Sequence, residues 1–131
     1  KVGATFFTVD LHAAYTSTDD KGNVIRGIGE AATASFTSST STVGNYTAGT
    51  DSWQIGASKK FGNLTTKASF TNSDSLLIKD DLKQTYLGAK YKFSGAFKNL
   101  EVSTDYTIYN YGTGNNSKDK DELRLKAIYF F

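Results

Sequence analysis

The chain contains no cysteine, no proline and no methionine. Without cysteine there is no disulfide framework, no thiol nucleophile and no zinc–thiolate site. The compartment stays open, because a β-barrel can persist in an oxidising space without bridges. A single histidine, His12, excludes an imidazole metal cluster. Neither sign of charge dominates: 15 Lys+Arg face 13 Asp+Glu. A net charge of +2 is too small to argue for nucleic acid or an anionic membrane surface. Mean hydropathy is negative, and no apolar run approaches the ~20 residues of a spanning helix. That excludes membrane helices and not a membrane barrel, in which lipid-facing and lumen-facing residues alternate. Lys1-Val2-Gly3-Ala4 lacks the apolar stretch of a signal peptide, so the chain is expected to be mature or to have lost its start.

What is present is aromatic and alternating. Phe, Tyr and Trp make up 14% of the 131 residues, enough chain for one domain or part of a larger one. The most informative stretch is Leu123 to Phe131. With period two, Leu123, Leu125, Ala127, Tyr129 and Phe131 share one face, and Arg124, Lys126, Ile128 and Phe130 share the other. A soluble strand can read this way too. The unusual feature is a chain stopping on an aromatic, where a membrane barrel places its aromatic girdle.

The same periodicity predicts about seven strands. The first covers Thr5 to Thr16, followed by a turn at Asp19 to Asn23. Val24 to Thr37 is a weaker second strand, with a very small face at Gly27, Gly29 and Ala31 suited to close packing against a loop or a subunit. The third runs from Asp51 to Phe61, with Trp53 and Phe61 near the two ends of one face and Lys59 close enough to an end to snorkel. Gly62-Asn63 turns the chain into Leu64 to Asn72. Leu82 to Phe93, Asn99 to Tyr111 and the terminal stretch complete the set. Long polar connections follow the second, fourth and sixth strands. The second long loop, Ser73 to Asp81, holds Leu76-Leu77-Ile78, expected to fold onto the wall or to meet another chain.

The expected architecture is an antiparallel outer-membrane β-barrel, a single domain or segment over 1–131. Short turns would lie on the periplasmic side and long loops outside. An odd strand count puts residue 1 on the external side. Bacterial single-chain barrels have even counts, so the chain is expected to be the C-terminal part of a longer barrel.

The last fifty or so residues carry a family resemblance. Leu82 to Phe93, Lys98-Asn99-Leu100 and Glu122 to Phe131 resemble the C-terminal strands of porins. They are most similar to the major outer-membrane porins of Campylobacter and Helicobacter relatives, and more distantly to OprD-type channels. The resemblance implies a large barrel in the bacterial outer membrane, often a homotrimer, passing small hydrophilic solutes or ions.

On the polar parity lie Asp10, His12, Lys60, Lys67, Lys90, Lys92, Glu101, Asp105, Arg124 and Lys126, expected to line a pore. Cations outnumber anions among them, so this part of the lumen should favour anions. Trp53, Phe61, Tyr91, Phe93, Tyr129 and Phe131 are expected to form a membrane-facing aromatic belt. No cofactor, metal, nucleic acid or catalytic role is expected.

Other readings fit less of the chain. A filled barrel of about eight strands could serve as adhesin, receptor or membrane-stability protein. A soluble β-sandwich or ligand-binding barrel is a third. Gly27 to Ala32 has the outline of a dinucleotide fingerprint, but strand-like residues follow it where a helix is needed. Asp10 and His12 with Ser58 or Ser69 could form a hydrolase set. Glu101 and Asp105 could form a glycosidase pair, but lysine neighbours would lower both carboxyls when one must be raised.

Overall fold

A computed structural model describes residues 1–21, 49–75, 81–112 and 119–131. Among them are seven strands: β1 (Val2–Phe6), β2 (Val9–Ser17), β3 (Thr50–Phe61), β4 (Leu64–Ser75), β5 (Leu82–Lys92), β6 (Leu100–Tyr111) and β7 (Lys120–Tyr129). They form one antiparallel sheet in sequence order, with β1 and β7 at its edges. The sheet is open: neither edge has a strand partner among the described residues.

The expected first strand is two. The chain reverses at Phe7-Thr8, and Phe6 pairs with Val9. Both turn residues have positive φ, 45° and 65°, as a two-residue hairpin turn requires. The alternation runs through this turn unbroken, and Phe-Thr carries none of the usual turn chemistry. The expected strand Val24 to Thr37 lies outside the described residues, as do Gly27 to Ala31 and Leu76-Leu77-Ile78.

Other boundaries shift by a few residues. β4 continues to Ser75, beyond the expected end at Asn72, because its extra residues keep pairing with Thr50, Asp51 and Ser52. β7 starts at Lys120, within the expected loop, because Lys120 is in register with Tyr109. Gly62 adopts φ +57° between β3 and β4. A short 3-10 turn, Gly95–Phe97, joins β5 to β6. Successive strands are separated by 2, 2 and 7 residues at one end of the sheet, the short-turn end, and by 32, 6 and 8 at the other, the long-connection end, so the β5–β6 interval is longer than the β4–β5 one.

The register also tilts the strands. At the long-connection end, the last pairs of the β2–β3, β4–β5 and β6–β7 ladders are Ser17/Asp51, Ser73/Leu82 and Tyr109/Lys120. Traced across the sheet to β3, these pairs lie level with Asp51, Ser52 and Gln54. Each hairpin is thus displaced along the strands from the one before. A shift of three residues over four strands, at ~3.4 Å rise and ~4.8 Å spacing, corresponds to a tilt of roughly 28°. Membrane barrels tilt their strands by about 35–45°.

Candidate functional site

Directly opposed residues in a ladder share a face, so the register sorts every side chain. One polar row runs Thr5, Asp10, Ser58, Lys67, Gly88, Asp105, Arg124. The next runs Lys60, Thr65, Lys90, Ser103, Lys126. Lys92 and Glu101 pair below it, and His12 lies above in the row of Gly56, Ser69 and Tyr86. All ten expected pore-lining residues thus fall on one face.

The opposite face is exposed and apolar across its middle, with its charges, Asp51, Lys59, Asp74, Lys83 and Asp121, toward the strand ends. Ala4, Leu11, Ala57, Ala68, Leu87, Tyr106 and Leu123 form an uninterrupted row across all seven strands. Leu125 is 75% exposed and Ile55 54%. A Leu or Ile left in water forfeits ~1.5–3 kcal/mol relative to burial, so a face of this extent needs apolar cover. The expected aromatic belt is on this side, and all six of its residues are exposed. Tyr91 and Phe93 meet edge to face at 5.0 Å, as do Tyr129 and Phe131 at 5.1 Å. Lys59 bends toward the short-turn end and places Nζ 4.9 Å from the Phe61 ring centre, as a snorkelling cation would.

Trp53 and Phe61 mark the two edges of the apolar band on β3. Eight residues span ~27 Å along the strand, or about 24 Å once tilted. The apolar band of an outer-membrane barrel is ~25 Å tall. A depression of about 830 Å³ on this face lies over Ala13, Ala57 and Ala68 between Leu11, Phe70 and Leu87. Its wall is almost wholly apolar, so it offers no convergent polar groups to a hydrophilic solute.

Burial is inverted relative to a soluble protein. Thr50, Ser52, Gln54, Thr71, Ser73, Gln84 and Thr107 are buried, all on the polar face toward the long-connection end. Ser52 Oγ donates to Ser73 Oγ at 2.9 Å, and Gln54 Nε2 to Thr71 Oγ1 at 2.9 Å. His12 Nε2 lies 3.0 Å from Gln54 Oε1. The His12 ring covers Gly56, where an added Cβ would collide with two ring atoms. Tyr86 lies likewise over Gly88 and donates to Asp105 Oδ1 at 2.6 Å. Glycine is used at both positions because an aromatic occupies its side-chain space.

The charges are partly paired. Glu101 sits between Lys90 and Lys92, 3.6 Å from each Nζ. Arg124 turns to Glu122, a carboxylate missing from the expected set because it reads as part of a loop. Asp10 accepts from Thr5 at 2.6 Å. Among the described residues no hydrogen bond joins His12 to Asp10, Ser58 or Ser69. No group of three or more His, Cys, Asp and Glu is placed to hold a metal among them.

Comparison with protein-family models, with curated proteins and with solved structures finds no match to this chain.

Proposed function

We propose that this sheet is part of the wall of an outer-membrane porin, a water-filled channel for passive diffusion of small hydrophilic solutes and ions. The observation that carries it is the inverted partition: large apolar side chains exposed on one face, charges and hydrogen-bonded polar groups on the other. The height of the aromatic band supports the same reading. The C-terminal resemblance to porins points the same way. Lipid covers the apolar face, and the polar face lines the conduit.

An open edge is not tolerated in hydrocarbon, where each unpaired backbone group costs several kcal/mol. β1 and β7 both run from the long-connection end to the short-turn end, so they are parallel to each other. An antiparallel wall closes only if an odd number of further strands joins the two edges. These come from the same polypeptide or from another chain.

A filled small barrel is the second reading. It draws on the buried polar network around Gln54 and on Tyr109, which is 0% exposed. Single-channel recording in planar bilayers separates the two. A porin gives discrete ohmic conductance steps; a filled barrel leaves the bilayer insulating.

A further inference from the structure

The row Lys60–Thr65–Lys90–Ser103–Lys126 places a lysine on every second strand and a hydroxyl on each strand between. With strands ~4.8 Å apart, successive lysines are anchored ~10 Å apart. Two lysine side chains reaching toward each other can then meet above the intervening hydroxyl. We infer that this row forms two adjoining stations for a multivalent oxyanion of the phosphate or sulfate class. One station is built from Lys60, Thr65 and Lys90, and the other from Lys90, Ser103 and Lys126. The inference rests on the pore reading for its biological meaning.

Local charge balance favours an anion there. The carboxylates of this part of the face are already engaged. Asp10 accepts from Thr5 and Asp105 from Tyr86, hydrogen bonds that do not cancel their charge. Lys60, Lys67, Lys90, Lys92, Arg124 and Lys126 therefore face Asp10, Glu101, Asp105 and Glu122, six cations to four carboxylates. Glu101 is shared between Lys90 and Lys92 at 3.6 Å from each, so one negative charge faces two positive ones. Arg124 is turned away to Glu122. Lys60, Lys67 and Lys126 form no ion pair with any described residue, and all three are exposed. Lys67 stands one row above, on the strand between Lys60 and Lys90, and adds a third cation to the first station.

The chemistry selects for charge and for acceptor number. An ammonium offers three donors and a hydroxyl one. A tetrahedral dianion can accept from two ammoniums and a hydroxyl at once, whereas chloride presents no separate acceptor atoms to divide among them. Two stations sharing Lys90 would let an anion pass from one to the next, with Lys90 alternating between partners.

The test uses the full chain refolded in detergent micelles and titrated with inorganic phosphate. The amide resonances of Thr65 and Ser103 are expected to shift. The Lys60→Gln/Lys126→Gln double variant should weaken the apparent affinity by about tenfold, the loss of one charge-assisted contact per station. Lys60→Arg/Lys126→Arg should retain binding, and Lys83→Gln on the opposite face should leave it unchanged. Resonances that stay still, or shifts equal in the Gln variant and the parent, would overturn the stations. In planar bilayers, phosphate should reduce chloride current in the parent and less so in the Gln variant. Conductance steps with no phosphate effect sink the stations and spare the channel. A silent bilayer sinks the channel, and the micelle titration still decides the stations.

Discussion

Trp53 and Gln54 are sequence neighbours in β3 with opposite surroundings. The indole is 43% exposed and the primary amide 5%. Gln54 bridges His12 and Thr71 through its two amide atoms, while Trp53 meets the Phe70 ring at 5.4 Å on the other side of the sheet. In water the tryptophan side would carry a hydrophobic penalty; in the proposed reading an acyl phase removes that penalty and leaves the polar side to water.

Trp53 is the chain's sole tryptophan, so its fluorescence reports one position. On refolding into lipid vesicles its emission should shift to the blue. Phospholipids brominated on the acyl chain should quench it, and aqueous iodide should not. Efficient iodide quenching in the folded state would place Trp53 in water.

The faces should respond oppositely to charge. Leu87 lies at the middle of β5, half exposed on the apolar face. Leu87→Arg is expected to destabilise the protein in vesicles by about 2–4 kcal/mol, the midplane cost of an arginine on a lipid face. Lys90→Gln, three residues along on the polar face, should stay within about 0.5 kcal/mol. Urea titration of the vesicle-embedded protein reads both.

Gly88 and Tyr86 should be energetically coupled. A Cβ at position 88 would collide with the Tyr86 hydroxyl end, forcing it off Asp105. Gly88→Ala is expected to cost about 1.5–3 kcal/mol, the worth of a hydrogen bond to a charged acceptor. In the background of Tyr86→Ala the same change should cost about 1 kcal/mol less. Additive costs in the double-mutant cycle would show that Tyr86 does not occupy the glycine's space.

The turn at Phe7-Thr8 offers a stabilising change. Thr8 holds φ 65°, a region that costs a β-branched residue roughly 1–2 kcal/mol. Thr8→Gly removes that strain and is expected to raise stability by about 1 kcal/mol, after the added unfolded-state entropy of glycine. A loss of stability in the same urea titration would contradict the turn geometry.

Much of the face assignment is legible from alternation alone. From β3 to β7, each expected strand overlaps an observed one, and Gly62-Asn63 turns where its residue types indicate. The ten polar-face residues share a side because register preserves parity across hairpins. Three features are not legible. The Phe7-Thr8 reversal carries no glycine, proline or asparagine to announce it. The extension of β4 to Ser75 is fixed by pairing with β3, which a local pattern does not contain. The lysine row depends on four successive registers, so Lys60, Lys90 and Lys126 look unrelated in the sequence. Glu122 escapes for a related reason: it follows a charged, Asn/Gly-rich stretch and reads as loop until its pairing with Thr107 is known.

The most direct test of the two-solvent sheet is a nitroxide scan through β5, one label at a time from Gln84 to Tyr91, in refolded vesicles. Accessibility to oxygen, which partitions into lipid, should peak at Thr85, Leu87, Ala89 and Tyr91. Accessibility to a water-soluble nickel chelate should peak at Gly88 and Lys90 and stay low at the odd positions. Nickel access at Leu87 and Ala89 equal to that at Lys90 would mean that water bathes both faces, and no membrane wall would exist.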